Sequence, residues 1–332
     1  MEPQFWQQFL ASDAAPERLW YLVDGARAAF LSGLPCEEWP GFSDAERRNM
    51  SNLANLAAPD TEIWLPDKSV GVPPALFCKG DVSCLQAPKL AVVGTRGASQ
   101  YGKSVAALFC TAFADAGCSV VSGGAIGIDT SVHESVLESN GKTVVVLPCG
   151  VDVTYPSRNR ALFDRVASSG CLVSQFPCGA GLREHWLPRR NMLVAGLCDA
   201  LVVVEAPEKS GSLMTAQAAR EAGKPVFVVP GPVSQTGFAG SHDLIRAGAA
   251  LVYKPEHVLQ ELGIRHVERK RDNKGLGPDE AAVLSVVSGV PRNLESICAD
   301  SGLKIDEVLT SITVLEIEGL VERSGDGYAL KP

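Results

Sequence analysis

Six short apolar runs set the rhythm of the middle of this chain: LAVVG from Leu90, CSVVSGG from Cys118, TVVVLPCG from Thr143, CLVS from Cys171, ALVVVEA from Ala200 and PVFVVPG from Pro225. They are too short for buried helices and rich in Val, which predicts strands, and a helix-length segment follows nearly every one. Alternating strands and helices imply βαβ crossovers, hence a parallel sheet covered on both faces. Glycine-bearing loops follow at Gly94, Gly123 with Gly124, Gly150, Gly211 and Gly231. In open parallel sheets ligands bind outside the carboxyl ends of the strands, near the point where strand order reverses. The pattern therefore locates a site before it says what binds there.

Residues 1–55 place Phe5, Phe9, Leu19, Trp20, Leu22, Val23 and Phe30 at helical spacing and predict a small N-terminal helical domain. In residues 56–88, Pro59, Pro66, Pro73, Pro74 and Pro88 exclude a long helix and predict a connecting segment with one or two short strands. Residues 89–254 hold the sheet, an extended Rossmann-like α/β core. Residues 255–275, which include the charged run VERKRDNK, predict a solvated linker. In residues 276–332, DEAAVLSVVSG, LESICADSG and DEVLTSITVLEIEGL read as three amphipathic helices, and two short strands flank Gly325-Asp326-Gly327. Three helices and a hairpin predict a winged helix-turn-helix.

Composition adds constraints. Hydrophobic residues make up 46% and charged residues 20%, as in ordinary globular proteins. No long apolar segment and no basic start with an apolar h-region occur, so a cytoplasmic chain without membrane contact is expected. The ten cysteines are scattered with no CxxC pair, which predicts reduced, mostly buried thiols and neither a structural metal nor another cofactor.

Charge changes the picture more. A net charge of -8 argues against a nucleic-acid partner, whose phosphates need Lys and Arg. Yet residues 89–254 carry 15 Lys and Arg against 12 Asp and Glu, whereas residues 1–88 carry 6 against 12 and residues 276–332 carry 4 against 10. The cationic domain is the one with the glycine loops.

The first loop, VVGTRGASQYGKS from Val92, joins a strand to a helix and is expected to aim backbone N–H groups and the helix dipole at an anion. Gly94, Gly97 and Gly102 do not fit the dinucleotide spacing G-x-G-x-x-G, and neither NAD nor a P-loop nucleotide is expected. Arg96 at the strand end suits bidentate phosphate binding. In the second loop, VVSGGAIGIDTSVHE, Gly123, Gly124 and Gly127 are expected to permit close approach of a ligand, Asp129 to cap the following helix and His133 to pack against it. Further along, Arg158, Arg160, Arg183, Arg189 and Arg190, with Asn159 and Asn191, interleave with Tyr155 and Trp186, as suits a strand whose bases stack on rings. Lys209, Ser210, Gly211 and Ser212 form a small-residue nest at a helix start, a further phosphate seat. Seats in series suit a polymer better than a mononucleotide.

With these residues in place, the chain resembles the DprA/Smf family of DNA-processing proteins. The resemblance runs over about Leu76 to Val252 through LFCKGD, VVGTRGASQYG, VSGGAIGID, GVDVTYPSRN, PRRN, VVEAPEKSGSLMTA and VFVVPG. It implies a single-stranded DNA-binding homodimer that protects incoming DNA and helps load a RecA-type recombinase during natural transformation, and no catalysis. Carried over position by position, the phosphate pocket falls on Gly94, Thr95, Arg96, Gly123, Gly124, Arg190, Asn191, Ser210, Gly211 and Ser212. Arg158 stands next to Ser157, where the family has a basic residue. Met192 and Gln175 are departures from the family pattern.

Two other functions compete. A phosphoribohydrolase on a related core needs a carboxylate beside a Pro-Gly-Gly loop, and here Ser-Gly-Ser-Leu-Met-Thr is followed by Ala216-Gln217-Ala218 without an acid. A winged-helix transcription regulator needs a cationic recognition helix, and KIDEVLTSITVLEIEGL has one Lys against four acids. Protein binding or control of self-assembly suits that helix better. The stretch Ser241 to Tyr253 is expected at the sheet edge, where Leu244, Ile245, Leu251 and Val252 need cover, and a homodimer would supply it.

Overall fold

The computed structural model describes residues 60–64, 76–176, 178–264, 276–288 and 291–330. The helical domain expected over residues 1–55 lies outside the described residues. The chain divides into two compact units between Val267 and Glu268.

Among the described residues, the first unit holds a nine-stranded sheet of order β1-β2-β6-β5-β4-β3-β7-β8-β9. Its strands are β1 (Glu62–Trp64), β2 (Leu76–Gly80), β3 (Lys89–Val93), β4 (Ser119–Ser122), β5 (Lys142–Val146), β6 (Cys171–Ser174), β7 (Ala200–Val203), β8 (Val226–Val228) and β9 (Ala250–Leu251). β3 to β9 pair in parallel, while β1 and β2 run antiparallel at one edge. The chain lays β3 to β6 outward on one side, then jumps back across β3 to lay β7 to β9 on the other. The reversal opens a crevice at the carboxyl ends of β3 and β7, where such sheets hold ligands.

Among the described residues, seven helices cover the sheet: α1 (Gln100–Asp115), α2 (Ile128–Glu138), α3 (Arg160–Ser169), α4 (Trp186–Leu197), α5 (Gly211–Glu221), α6 (Ala239–Arg246) and α7 (Pro255–Glu261). Alternate strand residues serve opposite faces. Val93, Val121, Val144 and Val203 pack with Leu193 and Val194 of α4 and Ala216 of α5. Val92, Val120 and Val202 pack on the other face with Phe109 and Phe113 of α1 and Val132 of α2. Each such side chain withdrawn from water contributes about 1.5–3 kcal/mol, which explains why these runs show no polar alternation.

Two of the expected boundaries cut through this unit. Leu76 and Phe77 are fully buried on β2, which pairs with β6, so the sheet begins before residue 89. Residues 255–261 form a helix with Pro255 in its first turn, and Val258 and Leu259 are fully buried in the core. The charged run further along masked this short apolar pair.

β9 pairs with β8 at the second edge. Leu251 is 48% exposed and Tyr253 63% exposed there. Leu244 and Ile245 of α6 are half-buried against the core. Val252, expected among the uncovered residues, is already buried in the core.

The second unit holds α8 (Pro278–Val286), α9 (Leu294–Ser301), α10 (Ile305–Ile317) and the hairpin β10 (Val321–Ser324) and β11 (Gly327–Leu330). Val283, Ile297, Val308, Ile312 and Leu315 form its core. Asn293 caps α9 by accepting from the Ser296 amide at 2.9 Å, and Gly302 ends it at φ 74°, a left-handed turn suited to glycine. The result is the expected winged helix. α10 presents Ile305, Asp306, Leu309, Thr310, Glu316 and Ile317 to solvent, a face without a cation.

Candidate nucleic-acid interface

A cavity of about 410 Å³ opens at the switch point. Its walls come from the loop after β3 (Gly94, Thr95, Arg96), the loop after β4 (Gly123, Ala125), the start of α4 (Leu187, Pro188, Arg190, Asn191) and the segment from Pro207 into α5 (Lys209, Ser210, Gly211, Ser212, Met214, Thr215). Three cations, Arg96, Arg190 and Lys209, face one carboxylate, Asp129, so the cavity favours an anion. Ten of the thirteen residues expected to bind nucleic acid line it. Gly124, Arg158 and Arg183 do not.

Arg96 is exposed, and among the described residues no carboxylate pairs with it. Its neighbours are fixed. The Thr95 amide donates to the Glu205 carbonyl at 2.7 Å, the Ile128 amide donates to the Thr95 carbonyl at 3.1 Å, and the Gly97 amide donates to Thr95 Oγ1 at 3.2 Å. An unpaired guanidinium on a braced loop keeps its donors for a ligand.

Arg190 differs. It is 6% exposed and donates to the Gly123 and Val146 carbonyls and, at 3.0 Å through Nε, to Asn191 Oδ1. Burial, and then the charge of Arg96, push its pKa down while Asp129 pushes it up. Burial likewise raises the Asp129 carboxyl against the pull of Arg190. Each charge offsets part of the other's desolvation, and both residues line the cavity.

The loop after β4 corrects expectations at Gly124, Gly127 and Asp129, while Gly123 lines the cavity and is also hemmed in by protein. Gly123 makes room for protein: a Cβ there would sit 2.6 Å from Arg190 Nη1 and 2.9 Å from Asp129 Oδ2. Gly124, at φ 67°, faces the core, and a Cβ would lie 2.6 Å from Val145 Cγ1 and 2.9 Å from Phe163 Cζ. Gly127, at φ 92°, occupies the N-cap position of α2 and abuts the Thr95 and Arg96 carbonyls. Asp129 is thus not the cap. It lies in the first turn, 7% exposed, and accepts from the Ala125 amide at 3.2 Å. His133 is buried and packs as expected. Thr143 Oγ1 donates to the Val120 carbonyl, so His133 Nδ1–H donates to Thr143 at 2.7 Å. Burial, aided by Arg190, lowers the His133 pKa to about 3, so the ring is neutral.

The rings also differ from expectation. Trp186 is 1% exposed and stacks on Phe176 at 3.9 Å between centroids, which leaves no face for a base. Arg183 lies over its ring at 4.9 Å. Asn159 is buried and donates to the Gly124 carbonyl and Thr130 Oγ1, both at 3.0 Å, bracing the loop from behind. Arg158 is exposed on the turn Ser157–Asn159. Tyr155, half-buried, lines a second cavity of about 70 Å³ with Ile126, Pro156, Arg96 and Arg190.

At the opposite wall Ser210 caps α5. Its Oγ accepts from the Ser212 amide at 3.3 Å and contacts Ser212 Oγ at 2.7 Å. The Asn191 side-chain amide donates to the Gly211 carbonyl at 3.3 Å, tying α4 to this turn. With Lys209 exposed beside it, the start of α5 joins a positive dipole end to hydroxyl donors.

The start of α1 behaves otherwise. Residues 97–104 read GASQYGKS, which satisfies G-x-x-x-x-G-K-S, so the P-loop pattern is present in the sequence although no such nucleotide was expected. The structure does not form that loop. α1 already begins at Gln100, Ser99 is its N-cap, and Lys103 and Ser104 lie within the helix outside the cavity lining. The Ser99 amide and hydroxyl donate to Glu205 Oε2 at 3.0 and 2.7 Å. The anion at this helix start is the protein's own Glu205, which no sequence motif marks as a partner of Ser99. Its signal was an acid directly after the buried run ALVVV.

The profile of the DNA recombination-mediator protein A family matches residues 65–263, and that of the DprA winged helix domain matches residues 267–327. Protein Smf of Escherichia coli (strain K12) is 35% identical over 286 residues, covering 82% of this chain and 76% of that protein. The X-ray structure of DNA processing protein A from Streptococcus pneumoniae superposes with a TM-score of 0.60 at 28% identity, over 73% of this chain and 96% of that one. DNA processing protein A from Helicobacter pylori, whose structure was described for its single-stranded DNA binding mode, superposes with a TM-score of 0.56 at 27% identity, over 62% of this chain and 97% of that one.

Proposed function

This chain belongs to the DNA recombination-mediator protein A family, and we propose from that premise that its switch-point cavity binds single-stranded DNA, protecting incoming strands and helping a RecA-type recombinase load on them during natural transformation or homologous recombination. The convergence of Arg96, Arg190 and Lys209 with the start of α5 on one cavity carries this reading. A concave cavity suits a single backbone with its phosphates and not the broad surface of a duplex. The second cavity shares Arg96 and Arg190, which gives a polymer somewhere to continue. The similarity to the Helicobacter pylori protein, described as binding single-stranded DNA, supports the same ligand.

The pocket is assigned no catalytic step. Its lining carboxylate, Asp129, is buried and turned to the Ala125 amide beside Arg190, a poor position for assisting glycosidic cleavage. Self-association through Leu251, with Leu244 and Ile245 behind it, completes the reading: two cavities would then engage one long strand. The acidic α10 would repel phosphate and suits a protein partner.

Anisotropy titrations of fluorescent single-stranded and duplex oligonucleotides across a salt series test the central claim. Tighter binding of the single strand, weakening as salt rises, supports it. Equal affinity for duplex would overturn it. A strand-exchange assay with a RecA-type recombinase tests loading.

A further inference from the structure

The structure assigns to Glu205 the role of positioning residue for Arg96, as an internal anion that clamps the segment 95–99 at both ends. This rests on the reading of Arg96 as a ligand-binding cation. Glu205 follows β7, is 3% exposed, and uses two separate groups. Its carbonyl holds the Thr95 amide at 2.7 Å, one residue before Arg96. Its carboxylate holds the Ser99 amide and hydroxyl at 3.0 and 2.7 Å, three residues after. Ser99 Oγ in turn accepts from the Gly102 amide at 3.0 Å, so the clamp continues into α1.

Space for the carboxylate is built in. A Cβ at Gly102 would collide with Glu205 Oε2, and one at Gly237 would sit 3.0 Å from Oε1. A buried carboxylate is costly unless bonded, and here the compensation comes from N–H and O–H donors at a helix start and its dipole. Immediately downstream, the Ala206 amide donates to Ser241 Oγ at 3.0 Å, and Pro207 to Ser212 form the opposite cavity wall. The strand end that carries Glu205 therefore sets the distance between the Arg96 wall and the α5 wall.

The test compares Glu205→Ala, Glu205→Gln, Ser99→Ala and Gly102→Ala in the full chain, each alone and with Arg96→Ala. Binding of a fluorescent oligothymidylate is read by anisotropy below the melting temperature. Ser99→Ala and Glu205→Ala are expected to weaken binding by about tenfold, the loss of one charge-assisted bond. Gly102→Ala is expected to do the same by displacing the carboxylate, although Ala favours helices. Glu205→Gln, which keeps an oxygen acceptor, should recover most of the affinity. None of the changes should weaken binding further once Arg96 is Ala. Additive losses, or full affinity in both Glu205→Ala and Gly102→Ala, would overturn the assignment. Should Glu205→Ala not fold, Ser99→Ala and Gly102→Ala carry the same comparison. Amide exchange at Thr95, Gly97 and Ser99 reads the clamp without ligand: accelerated exchange in Ser99→Ala supports it even if no oligonucleotide binds, and unchanged exchange opposes it.

Discussion

Gly123 and Arg190 are packed so closely that any side chain at 123 would place its Cβ 2.6 Å from the guanidinium that donates to the Gly123 carbonyl. The glycine thus holds a buried cation in place beneath the cavity. Gly123→Ala should displace Arg190 and destabilise the fold by about 1–3 kcal/mol, as overpacking does. Thermal unfolding with anisotropy checks this; an unchanged melting temperature with full affinity would contradict the packing.

Arg96 is exposed and unpaired among the described residues, so Arg96→Ala should leave stability within about 0.5 kcal/mol. Single-strand binding should weaken by about 1–3 kcal/mol, and the slope of log affinity against log salt should fall by about 0.7, as for one lost phosphate contact. A salt titration of both proteins measures this.

Trp186 holds α4 through its stack on Phe176. Trp186→Ala should cost about 3–5 kcal/mol of stability, the range for emptying a buried aromatic site. Chemical denaturation gives the number. Loss of binding with stability intact would return the ring to the ligand.

His133 links stability to pH. Its folded pKa is about 3 against 6.5 when unfolded. Above pH 6.5 both states are neutral and the group contributes nothing to the pH dependence. As pH falls from 6.5 towards 3, the unfolded chain takes a proton that the folded one refuses, and stability drops by about 1.4 kcal/mol per pH unit. Asp129, with its carboxyl raised, acts in the opposite sense, since acidification to 3.8 removes a costly buried charge. Comparison with His133→Gln isolates the histidine: the gap between the two proteins should close as pH falls from 6.5. A pH-independent gap would refute the assignment.

Leu251→Glu tests the sheet edge. Light scattering should show loss of self-association, and long strands should lose more affinity than short ones because the two sites no longer share a ligand. A parent that is monomeric at micromolar concentration with and without a long oligonucleotide would end this proposal.

The apolar runs alone determined the parallel core and its six central strands, because a strand buried on both faces must be apolar throughout, and they pointed to the strand ends where the cavity opens. The winged helix was equally legible from three amphipathic periods and a turn. Local pattern also pointed to Arg96 and Ser210. What it could not give was the partner of each glycine. Gly123, Gly124 and Gly127 look alike as letters, yet one faces Arg190, one Phe163 and one the Thr95 and Arg96 carbonyls. Nor could it tell that Trp186 is spent on Phe176, that Val258 and Leu259 belong to the core, or that GASQYGKS is closed by an acid 106 positions away in sequence. Those outcomes depend on contacts between distant segments, and only the crossing of the chain at the β3–β7 reversal brings Glu205 to the start of α1.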